Sequence, residues 1–197
     1  MICTRLFPLL AGLVLIVGCQ QAGEGEGSAQ KLADAEEGSQ QSTAEVRLRA
    51  DGVEITGAEG TYLAFDSPRE TVEIELAGVL GPIVDRSRIE ECGAGTVTST
   101  SFPGGLTVNF EAGRLKGWVL SGDENTADGE PEPIATAEGI SLKSDEAALD
   151  AAYTVESMDS TLGDEFTTEE GISGFLTGSE GSRTVEALYS GTTCFFR

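Results

Sequence analysis

The sequence has no histidine, few basic residues and no apolar run long enough to span a membrane. Without histidine it lacks the commonest general base, Ser-His-Asp and Cys-His arrangements, and the usual transition-metal ligands. It also has neither a phosphate-binding loop with lysine nor a dinucleotide-binding fingerprint. Its 12 basic residues face 34 acidic ones, and the net charge of −22 repels nucleic acid. We therefore expect a non-enzymatic protein that binds no cofactor and no nucleic acid.

The longest apolar run lies near the N-terminus, at residues 6–17. A membrane-spanning helix needs about 20 apolar residues, so this shorter run is typical of a signal peptide. It is followed by Gly18 and Cys19, and branched aliphatic residues precede that pair. This pattern resembles the lipobox of bacterial prolipoproteins. The resemblance implies cleavage between Gly18 and Cys19 and acyl chains on Cys19. The alternative is an ordinary secretory signal with a chance cysteine.

A lipid on Cys19 would anchor the chain to a membrane in the cell envelope, on the extracytoplasmic side. In proteobacterial lipoproteins the next residue influences sorting. Gln20, rather than aspartate, favours the periplasmic side of the outer membrane if two membranes exist. Residues 19–44 are rich in Gln, Gly, Glu, Ser and Ala, which predicts a disordered tether. Removing residues 1–18 takes away Arg5 and leaves a net charge of −23.

Residues 45–197 are long enough for one domain. Once Cys3 is cleaved off and Cys19 is lipidated, Cys92 and Cys194 remain. An even pair in an oxidising compartment predicts a disulfide, and two buried free thiols are the alternative.

Hydrophobic periodicity predicts an α+β domain with two related halves, at about residues 57–122 and 134–197. In the first half Ser67 and Glu70 resemble a capping box, with Pro68 at the first helical position. Residues 106–120 then alternate as a hairpin. The second half repeats this order, with a helix cap at residues 144–146 and a hairpin at 171–189. We expect tandem helix-plus-antiparallel-hairpin units packed as one sheet, with the helices on one face.

This layout resembles β-lactamase inhibitory proteins and the small outer-membrane-assembly lipoproteins. The resemblance covers roughly residues 60–194 and rests on the order of elements. In those families the exposed face or the edge of the sheet binds other proteins. The resemblance therefore implies an envelope protein partner, and no interface residue can be transferred.

Candidate chemistry is sparse. Asp123, Asn125 and Asp128 partly match a calcium loop, but Ala127 breaks the pattern, and the segment also fits a linker between the halves. Adjacent acids such as Asp164-Glu165 suggest a carboxylate pair, although such pairs arise by chance in an acidic chain. Residues 85–88 are expected to form a solvated turn. Trp118 is expected in the core, with an exposed recognition aromatic as the alternative.

Three functions remain open from the sequence. The first is a membrane-anchored binding module with an unknown ligand. The second is a structural or assembly lipoprotein of the envelope. The third is a glycan hydrolase that uses carboxylates alone.

Overall fold

Twelve strands and two α-helices form the part of the chain that the structure, a computed structural model, describes: residues 44–57, 60–122, 134–158 and 160–194. The helices are α1 (Arg69–Leu80) and α2 (Glu146–Ala152). In chain order the strands are β1 (Val46–Arg49), β2 (Gly52–Ile55), β3 (Thr61–Ala64), β4 (Asp85–Cys92), β5 (Gly95–Ser101), β6 (Leu106–Glu111), β7 (Arg114–Ser121), β8 (Ile134–Thr136), β9 (Val155–Met158), β10 (Asp164–Thr168), β11 (Ser173–Thr177) and β12 (Thr184–Gly191).

The strands form two sheets. The small sheet has the order β3-β2-β1-β8, and its β1–β8 pair is parallel. The large sheet has eight antiparallel strands in the order β4-β5-β6-β7-β12-β11-β10-β9. It therefore consists of two four-stranded meanders whose last strands, β7 and β12, pair at the centre. Each meander follows one helix in the chain.

One face of the large sheet, called here the inner face, carries the hydrophobic core. Leu106, Val108 and Phe110 alternate along β6 and are all buried against the core, as the period of a half-buried strand requires. Trp118 on β7 is fully buried, and its indole nitrogen donates a 2.8 Å hydrogen bond to the carbonyl of Arg49 in the small sheet. The prediction of a core tryptophan is confirmed, and Trp118 joins the two sheets.

Both helices pack on this inner face. Val72 and Leu76, one helical turn apart, are the buried residues of α1. The helix ends at Gly81, whose φ of 96° suits glycine. The capping box predicted at Ser67 is wrong. Pro68 occupies the N-cap position, and no side chain caps the helix.

The start of α2 is capped as the sequence indicates. The carboxylate of Asp145 accepts a 2.7 Å hydrogen bond from the backbone N–H of Ala148. This bond satisfies one of the N–H groups that lack a partner within the helix.

The α+β class is confirmed in its broad form, with more strand than helix, but the expected arrangement differs in three respects. The strands form two sheets rather than one. Each helix is followed by four strands of the large sheet rather than by one hairpin. Residues 85–88, expected as a turn, begin β4, where Asp85 pairs with Ser101. β4 is an edge strand with mostly exposed side chains, so it lacks the alternation by which buried strands are recognised.

None of the helices in the described segments is long and apolar enough to cross a membrane. The predicted signal peptide at residues 1–18, the lipidation and cleavage positions Gly18 and Cys19, and nearly all of the tether lie outside the described residues. The calcium candidates Asp123, Asn125 and Asp128 lie outside them as well.

Candidate functional site

The two remaining cysteines are joined. Cys92, at the end of β4, and Cys194, beyond β12, form a disulfide with Cα atoms 5.2 Å apart, and 102 positions separate them in the chain. Cys92 is buried, so the bond is shielded from solvent on that side. The disulfide ties the C-terminal end of the described chain to the far edge of the large sheet.

The residues between β12 and this disulfide, 192–194, are called here the C-terminal strap. The strap crosses the outer face of the large sheet, which is the face opposite the helices. The backbone N–H of Thr192 donates to the carbonyl of Lys116 at 2.8 Å, and the Asn109 side chain donates to the carbonyl of Thr192 at 2.9 Å. The Thr192 hydroxyl donates to Glu111 at 2.6 Å. Hydrogen bonds as well as the disulfide therefore hold the strap.

Gly117 on β7 makes room for the strap. A Cβ atom at this position would lie 2.4 Å from the carbonyl oxygen of Thr192, closer than non-bonded atoms approach. Asn109 is also buried, and its side-chain oxygen accepts a 2.8 Å hydrogen bond from Ser99 on β5. Residues of three neighbouring strands, β5, β6 and β7, thus form the surface on which the strap packs.

Beside the strap, one line of side chains crosses the outer face from edge to edge. The strand registers place one residue from each strand in this line, which we call the transverse row: Asp85, Ser101, Thr107, Val119, Tyr189, Ser173, Thr167 and Glu156.

The order of residue types along the transverse row is nearly the same from either end. An acid stands at each edge, two hydroxyl residues follow it, and Val119 and Tyr189 meet at the centre. The hydroxyls of Ser101 and Thr107 lie 2.9 Å apart, and the Ser173 hydroxyl donates to Thr167 at 3.1 Å. A hydrogen-bonded hydroxyl pair therefore occurs at the same place in each half of the sheet.

A buried carboxylate lies next to this row. Glu165 on β10 is 2% exposed and accepts a hydrogen bond from the hydroxyl of Tyr189. The ring of Tyr189 also contacts Phe175, with ring centroids 5.7 Å apart. These two contacts fix the position of Tyr189 at the centre of the row.

On the inner face, a groove of about 510 Å³ lies between α1 and β4. Its apolar wall includes Ile74, which is 64% exposed. At its floor Glu73 accepts hydrogen bonds from Arg69 at 2.7 Å, Arg86 at 3.0 Å and Thr100 at 2.6 Å. Partial burial raises the pKa of Glu73, but the hydrogen bonds from Arg86, Thr100 and Arg69 outweigh it and lower the pKa to about 2. This carboxylate joins α1 to the sheet.

A second groove, of about 400 Å³, lies between α2 and the strands β9 and β10. Arg183 contacts two of its acids, Glu146 at 3.0 Å and Asp164 at 3.6 Å. The hydrogen bond from Arg183 to Glu146 raises the pKa of the arginine. Both acids are therefore held in ion pairs with one guanidinium group.

The adjacent acids Asp164 and Glu165 point to opposite faces of the large sheet. Asp164 and Glu165 are neighbours on β10, and successive side chains of a strand point to opposite faces. Asp164 accordingly meets Arg183 on the inner face, whereas Glu165 meets Tyr189 on the outer face. Within the described segments, no group of three or more Asp, Glu or Cys side chains is arranged to hold a metal ion.

No known protein family, curated protein or solved structure matches this chain. The transverse row and the strap were not anticipated from the sequence. Alternation along β6 places Thr107 and Asn109 on the face opposite the core, which is the one available signal. The registers that align eight strands depend on contacts between residues far apart in the chain.

Proposed function

We propose that this protein is a lipid-anchored envelope protein of the extracytoplasmic side, and that it binds its ligand without catalysis. The ligand meets the outer face of the large sheet. The anchor rests on the lipobox-like sequence at Gly18 and Cys19. The disulfide between Cys92 and Cys194 supports an oxidising compartment.

The observation that carries the binding role is the unequal covering of the large sheet. The small sheet and both helices cover its inner face. On its outer face, seven of the eight members of the transverse row remain exposed or half-buried, and only Tyr189 is buried. A rigid sheet that is packed on one face and partly exposed on the other holds its exposed side chains at fixed spacings, which favours recognition.

We further propose that the two halves are copies of one unit, a helix followed by four antiparallel strands. The segment before each helix supports this. Asp66 and Lys143 stand three residues before Arg69 and Glu146, the first residues of the helices, and both have positive φ, 72° and 66°.

The same three backbone hydrogen bonds join that segment to the start of the last meander strand, or to the residue just before it, in each half. In the first half they are Asp66 N–H to Leu115 O, Leu115 N–H to Ser67 O and Arg69 N–H to Gly113 O. In the second half they are Lys143 N–H to Val185 O, Val185 N–H to Ser144 O and Glu146 N–H to Arg183 O. A duplicated unit explains why the order of residue types along the transverse row is similar from its two ends.

The anchor and the binding face are tested separately. Mass spectrometry of the protein extracted from its native membrane should find Cys19 at the N-terminus carrying acyl chains, and C19S should abolish this species. An uncleaved leader, or Cys19 without lipid, would contradict the anchor.

For the binding face, a photo-crosslinking residue replaces Thr107 on the outer face or Thr71 on the exposed side of α1. In intact cells we expect a discrete adduct from position 107 and none from position 71. Equal labelling at both positions, or none at either, would contradict a binding role for the outer face.

A further inference from the structure

Strand β4 forms one open edge of the large sheet. β5 pairs with one side of it, and no strand of the described segments pairs with its other side. Such an edge presents backbone N–H and C=O groups to any strand that lies beside it. β4 has eight residues, whereas β9 at the opposite edge has four. Because proteins commonly keep exposed edge strands short, β4 is the edge better suited to pairing with another chain.

The charges along β4 are divided by sign. Its first half carries Arg86 and Arg88, and its second half carries Glu90 and Glu91. All of these side chains are exposed. Asp85, at the start of the strand, is the one charge outside this order. A copy of β4 that runs in the opposite direction therefore brings its acidic half beside the two arginines.

A two-fold axis near Arg88 and Ile89 makes this complementarity reciprocal. An axis through Ile89 places Arg88 opposite Glu90 of the second copy. An axis midway between Arg88 and Ile89 places Arg86 opposite Glu91. Opposite charges at facing positions stabilise a strand pair, whereas like charges destabilise it. Two-fold dimers are built on surfaces that complement themselves in this way.

The present contacts of the two arginines leave them able to pair with a second copy. Arg88 and Glu90 form an ion pair at 3.1 Å within β4, and exposed pairs of this kind contribute little to stability. The same two residue types can pair between copies instead. Arg86 contacts Glu73 at 3.0 Å on the inner face, yet its side chain is 53% exposed. A guanidinium group has five N–H donors, so Arg86 can contact a second acid.

The two most exposed large apolar side chains of the described segments lie beside the same edge. Val84, directly before β4, is 65% exposed, and Ile74 on α1 is 64% exposed. Ile74 lines the groove between α1 and β4. A two-fold axis that sets the strands antiparallel keeps both inner faces on one side, so the second copy lies alongside this groove. Association along β4 therefore removes apolar surface from water as well as pairing charges.

We propose that two copies of this chain associate through antiparallel pairing of their β4 strands, which joins the two large sheets into one. The net charge of −22 opposes contact between copies. β4 itself carries three acids and two arginines, so little of this repulsion arises along the edge. The inference concerns a different surface from the outer face and does not rest on the proposed ligand binding.

The first test is disulfide crosslinking of the full-length chain in its native cells, with copper phenanthroline as the oxidant. R88C and I89C place a cysteine near the axis, D85C at the start of β4, and E156C on β9 at the opposite edge. Facing residues of antiparallel strands have Cα atoms about 4.5–5.5 Å apart, which suits a disulfide. We expect a covalent dimer with R88C or I89C, little with D85C and none with E156C.

The parent chain, in which Cys92 and Cys194 are bonded to each other, is the blank. If the charges of β4 serve only to protect the edge, no variant gives a dimer and the inference fails. Equal dimer yields at the two edges would also overturn it. An adduct of a different mass would place another protein at the edge and exclude the second copy.

Charge variants test the complementarity, with I89C as the reporter in each. R88E and E90R each set like charges opposite one another, and each should weaken association about tenfold. The double variant R88E/E90R exchanges the two charges and should restore the dimer. Chains with R88E and chains with E90R, produced in the same cells, should crosslink to each other. These two rescues show that the single variants are folded, and their failure would refute the pairing of β4 strands.

Discussion

Asn109 on β6 and Thr192 in the C-terminal strap are joined by a 2.9 Å hydrogen bond, although 83 positions separate them in the chain. Asn109 is buried, so loss of this partner would leave a polar group without compensation for its lost hydration. The strap is therefore part of the folded sheet, and substitutions of the residues on which it packs should affect the stability of the whole domain.

Gly117→Ala should destabilise the domain through a steric clash. The added methyl group would lie 2.4 Å from the carbonyl oxygen of Thr192, so strap or strand must shift. We expect a loss of about 1–3 kcal/mol in the free energy of unfolding, measured by urea denaturation with the fluorescence of Trp118 as the signal. Gly122→Ala is the control, because nothing lies within 4 Å of its added methyl group. Equal effects of the two substitutions would contradict the close packing of the strap.

Removal of the disulfide should cost more. Replacing Cys92 and Cys194 by serine opens a loop with a separation of 102 residues, and closure of such loops stabilises mainly by restricting the unfolded chain. We expect a loss of about 2–5 kcal/mol in guanidinium denaturation. Reductant should lower the stability of the parent to that of the double variant and leave the double variant unchanged. Insensitivity of the parent to reductant would indicate that the bond is absent.

How far the fold follows from the sequence depends on burial. The β6–β7 hairpin was predictable, because Leu106, Val108 and Phe110 alternate with polar residues and all face the core. β4 was not, since most of its side chains are exposed at the edge of the sheet. The strap and the transverse row depend on register between distant strands, and no local pattern encodes register.

The starts of the two helices give a second example of a contact that prediction from the local sequence misses. Ser67 and Asp145 both precede helices, and both side chains are suited to capping. In the first half Pro68 takes the N-cap position, and Ser67 is held one residue further out, where its carbonyl accepts a hydrogen bond from the N–H of Leu115. A long-range contact thus displaces the cap that the local sequence favours.

This difference gives a matched pair of substitutions. Asp145→Ala removes the 2.7 Å hydrogen bond to the N–H of Ala148 and should lower stability by about 1 kcal/mol. Ser67→Ala removes no cap at α1 and should change stability by less than about 0.5 kcal/mol. Thermal and urea denaturation of both variants check this. A larger loss for Ser67→Ala would indicate that the Ser67 side chain does cap α1, contrary to the structure.

The carboxylate of Glu73 should make stability depend on pH in the acid range. Partial burial raises its pKa, but hydrogen bonds from Arg86, Thr100 and Arg69 outweigh this and lower the pKa from the ordinary 4.5 to about 2 in the folded protein. Because the folded pKa is depressed, the stabilisation is fully present above about pH 4.5. It is lost as the pH falls towards 2.

Glu73→Gln tests this dependence. At pH 7 the substitution should lower the free energy of unfolding by about 2 kcal/mol, since two arginines lose a charged hydrogen-bond partner. The difference from the parent should shrink steadily between about pH 4.5 and pH 2, the window set by the two pKa values. Glu75→Gln, on the same helix, is the control and should change stability by less than about 0.5 kcal/mol. Urea denaturation at pH 7, 4 and 2.5 measures the difference, and a deficit for Glu73→Gln that stays constant across these values would show that the ionised carboxylate contributes nothing to stability.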